Sequence, residues 1–222
     1  MSFPRPKDRA LTLREREDRQ LRLLFWLCYC FDKDIALRTG QPPIIDDSFC
    51  NLELPEGYLE THFNMQQKSI ADDMATPCLI GDLRLSIIKS KAIRTLYSVA
   101  ASHKTDAELI RSIRELDEDL ENWRVSVPEA FTPALSIRKD VAHADALREG
   151  SRSMLHIELH LDYLHLMNTI HWASGRCLVS SDAGMSFGVK SSLDLTTEAS
   201  RSIIIYLSSA AHRLVGEAFW YV

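Results

Sequence analysis

A chain of 222 residues, with 45% of positions apolar and 26% charged, is long enough to bury a core of its own. With only 8 glycines and 8 prolines it is neither disordered nor collagen-like. Lys and Arg total 26 against 31 Asp and Glu, a formal net charge of -5, so the composition offers a nucleic-acid backbone no cationic excess.

The opening MSFPRPKDRALTLREREDRQ holds no apolar stretch of signal-peptide kind, and its basic residues from Arg5 to Arg19 are diluted by Asp8, Glu15, Glu17 and Asp18. They read as a solvated helix face, with residues 1–10 a flexible lead-in to one domain over residues 1–222. From about Leu11 to Leu37 the spacing predicts a helix. Glu15/Arg19 and Asp18/Arg22 stand four apart in its charged half. Its other half, LLFWLCYCF, is apolar all round, which predicts a central helix buried on every side. That run, Leu23 to Phe31, is too short to span a bilayer, so no membrane is expected as a partner.

Residues 39–63, with Gly40, Pro42, Pro43, Pro55 and Gly57, predict an ordered loop pinned by Ile44, Ile45, Phe49 and Leu54. Helices follow over about 65–74 and 79–102, the second carrying Leu85, Ile88, Ala92, Leu96 and Val99 as a stripe. Thr105 to Glu108 forms a capping box, and behind it Leu109, Ile113, Leu116, Leu120 and Trp123 mark one face of a helix that ends before Pro128. A long helix is predicted from Ser151 to about Ser174, a loop over 175–192, and a last helix from about Leu195. That last helix places Ala199, Ile203, Leu207, Ala211, Leu214 and Ala218 on one side. Ile203 to Tyr206 has strand propensity, which the three/four spacing outweighs. The fold class is therefore all-α: a multi-helix bundle of antiparallel helices with one long ordered loop.

Chemistry has few footholds. In HIELHLDYLHLMNTIHW, His156 and His160 share a helix face, but two ligands make no metal site and Glu158 points about 200° away from His156. Glu158, Asp162, His165 and Thr169 form one polar strip; His156, His160, Tyr163, Met167 and His171 form another among leucines. The simplest reading makes this second strip core or interface, and a ligand pocket lined by His156, His160, Tyr163, Met167 and His171 is the alternative. Neither Asp46-Asp47 nor Asp72-Asp73 is followed by the third carboxylate of a magnesium clamp, and no metal is expected in this chain. Five irregularly spaced cysteines, Cys28 and Cys30 among them, read as free and mostly buried thiols. No serine elbow, phosphate loop or dinucleotide fingerprint is present, so no catalytic residue is assigned and an enzyme is not expected.

One constellation is more specific. Arg22, Phe25, Trp26, Tyr29 and Asp32 on one helix, then Gly40-Gln41-Pro42-Pro43, Asp46 and Leu54-Pro55, resemble the signature of the fungal-specific transcription factor domain. This is the middle homology region of fungal Zn2Cys6 regulators. Leu120, Trp123 and Pro128 resemble the end of another helix of that family, and Tyr163 with His165 resembles its Tyr-His helix; the likeness covers most of Arg16 to Val215. It implies a regulatory domain in the nucleus that responds to a small-molecule effector, coactivators or repressors, with homodimers as a further expectation; the alternative is an all-α metabolite-binding protein or enzyme that reuses the scaffold, with its site on the His156, His160, Tyr163 and His171 face. Trp26, Asp32, Gly40 and Pro42 are then scaffold. It also implies that DNA is reached only through a six-cysteine zinc cluster N-terminal to such a domain, which these residues do not contain, and that zinc belongs to that cluster alone. Gln41 stands where the family usually carries Arg.

Overall fold

The computed structural model describes residues 12–55, 57–64, 81–138, 151–177 and 187–214, and among them all regular structure is helical. The helix expected over 65–74, the doublet Asp72-Asp73, Cys78, residues 1–10 and Ala218 lie outside the described residues. No helix among the described residues is long and apolar enough to cross a membrane.

Helix α1 (Leu13–Thr39) opens on a capping box in which the Thr12 hydroxyl accepts from the Glu15 N–H and the Glu15 carboxylate accepts from the Thr12 N–H. It stops at Gly40, whose φ of 68° is open to glycine at little cost and whose N–H bonds the Ala36 carbonyl. The apolar run in α1 is wider than the face that packs. Trp26, Tyr29, Cys30, Lys33 and Ala36 are buried, whereas Leu21, Leu24, Cys28 and Ile35 are exposed, so α1 lies on the surface and only one of the two thiols is a core residue. The central place belongs to α6 (Ser151–Trp172), in which every residue from Leu155 to Leu164 except Glu158 is buried.

Around α6 stand α3 (Leu83–Ala92), α5 (Asp106–Ser126) and α7 (Phe187–Leu214), which runs along most of its length. The α5 stripe is buried as its spacing predicts, and its Thr105/Glu108 box is formed. α7 begins inside the stretch expected to be loop, and its buried line is Val189, Ser192, Thr196, Ala199, Ser202 and Tyr206. Ile203 is partly buried, while Leu207 and Ala211 are exposed. Small residues win this face, and their hydroxyls are satisfied: Thr196 bonds the Ser192 carbonyl, and Ser202 accepts from the Ile137 N–H.

A second, smaller apolar cluster joins Trp26, Tyr29 and Cys30 to Leu83 and to Tyr58 of the short helix α2 (Tyr58–Asn64). Ile45, Leu52 and Leu54 pack on it, but Ile44 and Phe49 are 93% and 89% exposed, so they do not pin the loop. Arg22, whose spacing would pair it with Asp18, instead donates to the Glu53 carbonyl and lies over the Phe25 and Trp26 rings.

The stripe predicted over 79–102 is interrupted. After α3 the chain makes a π turn, Ile93–Tyr97, then an extended residue, Ser98, which caps α4 (Val99–Ser102). The hydroxyls of Thr95 and Ser98 bond the carbonyls four residues back, and the Thr95 carbonyl is taken by the Lys104 ammonium. Such back-bonding competes with the helical ladder, which is why Val99 ends 81% exposed rather than in the stripe.

Candidate functional site

The break in the helix shapes one wall of a cleft of about 760 Å³. The C-terminal end of α1, with Lys33, Ala36 and Leu37, and the turn from Gly40 to Asp47 form one side. Ser90 of α3, the π-turn residues Ile93, Arg94 and Tyr97, and Ser98 and Val99 form the second. The end of α6 closes it with His165, Asn168, Thr169 and Trp172.

The turn is held by charge rather than by apolar contact. Asp32 accepts from the N–H groups of Ile44 and Ile45 at 2.7 and 3.0 Å and from Lys33 at 3.0 Å. Burial pushes the Asp32 carboxyl up, but those three donors outweigh it and hold it below the usual carboxylate range. Lys33 is fully buried; its ammonium also bonds the Ile45 carbonyl, lies 3.5 Å from Asp47 and sits 4.7 Å from the centre of the Tyr29 ring. Asp47 in turn accepts from the Tyr29 hydroxyl at 3.0 Å and from Ser90 at 2.7 Å, which fastens the turn to α3.

Beside the cleft, Lys89 of α3 reaches Asp34 of α1 at 2.5 Å and Asp162 of α6 at 2.8 Å, tying three helices at one buried ammonium. Burial alone would lower the Lys89 pKa; the two carboxylates more than offset that and keep it charged. At the neighbouring His165 the balance goes the other way, and the nearby Asp34 carboxylate does not offset it. Burial, with the positive charges of Arg38 and Lys89 nearby, pushes the imidazole down to about 4, so it is neutral at physiological pH. A further buried carboxylate, Asp82, caps α3 and accepts from the Trp123 indole at 2.9 Å, from Arg84 and from the Tyr58 hydroxyl at 3.3 Å.

Of the signature residues, Gly40 and Pro42 line the cleft, Asp32 and Tyr29 brace it, and Arg22, Phe25 and Trp26 anchor α1 to the smaller cluster. The histidine strip lies elsewhere, and none of its five residues lines the cleft. His156 and His160 are buried with ring centres 4.3 Å apart, and His160 stacks on Tyr206 at 5.0 Å. Tyr163 stacks on Trp123, and His171 meets Ser192 at 3.2 Å and Asp117 at 3.4 Å. Met167 is likewise buried. It is the other strip of α6, through His165 and Thr169, that reaches the cleft. Among the described residues no group of three or more His, Cys, Asp or Glu side chains is placed to hold a metal ion.

The family model described as the fungal specific transcription factor domain matches residues 2–125. An ABC-transporter-regulating transcription factor of Aspergillus fumigatus is 36% identical over 157 residues, 70% of this chain and 16% of the relative; its counterpart in Aspergillus oryzae gives the same figures. A nitrogen assimilation transcription factor of Neurospora crassa is 26% identical over 185 residues, 75% of this chain and 16% of the relative. The chain thus spans about a sixth of the length of these relatives. No solved structure matches.

Proposed function

The chain belongs to the fungal specific transcription factor domain family, and from that premise we propose that it is the regulatory part of a longer nuclear transcription factor, with the cleft as the place where an effector acts. DNA is contacted by a zinc cluster elsewhere in the whole protein, and this domain sets how strongly the bound factor activates or represses, through coactivators, repressors or a second copy. The observation that carries the reading is that the family's signature residues build the cleft: Asp32 holds the turn on which Gly40 and Pro42 line it.

A fusion experiment tests this. The chain is placed between a heterologous DNA-binding domain and an activation domain in a fungal cell carrying a reporter. The expected result is that the inserted chain changes reporter output relative to the direct fusion, and that Val99→Trp, a substitution at an exposed site on the cleft, shifts that output further at equal protein level. Equal output from all three fusions would overturn the proposal.

A further inference from the structure

The chemistry of the cleft narrows what can occupy it, on the reading that the cleft is the regulatory site. Its ionic groups cancel: Lys33 and Arg94 face Asp46 and Asp47, and Lys33 is already satisfied by Asp32, Asp47 and the Ile45 carbonyl. Arg94 stands 3.9 Å from Asp47. An anionic or cationic ligand would therefore lose its hydration against a surface with no net charge to offer. The remaining walls are largely apolar, from Ala36, Leu37, Pro43, Ile45 and Ile93. Tyr97 and Trp172 stand at the cleft 45% and 66% exposed, as flat surfaces against which a ring can lie.

One polar group is left over. Asn168 is one of the lining residues, and its amide oxygen is buried with no hydrogen-bonding partner among the described residues, so an occupant of the cleft meets it once the side chain turns toward the cleft. A buried amide oxygen without a partner is costly and rare, and a half-turn about the last side-chain torsion exchanges it with the donor end. A group that both donates and accepts satisfies it in either orientation. A volume of about 760 Å³ lies within the range of sites for organic ligands.

We infer that the cleft binds an uncharged, mostly apolar small molecule, ring-bearing and carrying a hydroxyl or amide group that pairs with Asn168. Tyr97 and Trp172 bracket its ring system, and the π turn holds Ile93, Arg94 and Tyr97 at the angle the wall requires. The tyrosine is not free to swing away, because its hydroxyl donates to the Thr169 carbonyl across the cleft at 2.5 Å.

The experiment uses the purified chain and four probes. Nile red, uncharged and fluorescent in apolar surroundings, reports occupancy; 4-hydroxybiphenyl, biphenyl and 4-biphenylcarboxylate compete with it. The expected results are saturable Nile red binding, displacement by 4-hydroxybiphenyl well below the concentration needed for the carboxylate, and loss of binding in both Ile93→Trp and Val99→Trp. Val99 is largely exposed, so its variant reports even where the Ile93 variant fails to fold. Asn168→Leu is expected to weaken 4-hydroxybiphenyl roughly fivefold while leaving biphenyl unchanged, the signature of one lost hydrogen bond. Nile red binding untouched by either tryptophan, or a carboxylate that competes as well as the phenol, would overturn the ligand class. If no uncharged probe binds yet Val99→Trp still alters the reporter, the ligand class falls and the regulatory reading stands. If the probes bind as described and the reporter is indifferent, the regulatory reading falls and the ligand class stands.

Discussion

Around α6 and α7 the apolar interior is one continuous cluster: Leu155, Ile157, Leu159, Leu164, Leu166 and Ile170 are buried against α5, α3 and the small-residue face of α7. Around α1 the apolar cluster is small, and the helix is fastened by ions instead, through Lys89 between Asp34 and Asp162 and through Lys33 between Asp32 and Asp47. Apolar packing is non-directional and closes every gap it can. Charge pairs hold fixed distances and must be desolvated to form. A bundle fastened entirely in the first way would collapse onto the space between α1 and α6; the second way keeps that space open.

The contrast can be broken most forcefully at Lys89. Lys89→Met strands two carboxylates and is expected to cost ~3–5 kcal/mol in urea denaturation, while adding Asp34→Leu and Asp162→Leu recovers most of the loss. A cost near zero for the single variant would show that the tie carries no weight. Trp26→Ala removes the largest side chain of the smaller cluster and is expected to cost ~3–5 kcal/mol; a loss below ~1 kcal/mol would contradict its complete burial.

The acid response sharpens the comparison. His165 is held neutral down to about pH 4, whereas its unfolded imidazole takes a proton near pH 6.5, so the unfolded state binds more protons between those values and stability falls as pH drops through them. The expected loss is on the order of 3 kcal/mol across that window, and His165→Gln should flatten it. Asp32 and Asp82, held below their usual range, add stability that is present above about pH 4 and lost as pH falls through their lowered values. The smallest effect belongs to the loop: Ile44→Ser and Phe49→Ser remove exposed apolar groups and should change the melting free energy by less than ~0.5 kcal/mol.

What the sequence made legible was local. The Thr105 box, the α5 stripe, the extent of α6 and the helical state of Ile203 to Tyr206 follow from spacing and caps, and each is observed. Asp32, expected as scaffold, holds the turn by accepting from the N–H groups of Ile44 and Ile45. Which face of a helix meets which neighbour is not a local property. The apolar run of α1 hides the fact that Leu24 and Cys28 face outward, because every residue in it is equally willing to be buried. Both polar strips of α6 were visible, but only the placement of α1 and the π turn decides that the strip with His165 and Thr169 borders a cleft while the histidine strip is enclosed. The triad of Asp34, Lys89 and Asp162 joins residues up to 128 positions apart by their numbering, and no spacing rule reaches so far.

The π turn at Ile93–Tyr97 holds one more residue than an α-helix would need to cover the same path. The chain therefore stores a spare residue between α3 and the Ser98 cap, at a place where both flanks are independently anchored, α3 by Asp82 and α5 by Thr105. Deleting Thr95 should let α3 continue in regular α geometry up to the Ser98 cap without re-registering either flank. The molecule would stay folded and lose only the wall that Arg94 and Tyr97 give the cleft, a length change that separates the survival of the fold from the survival of its site.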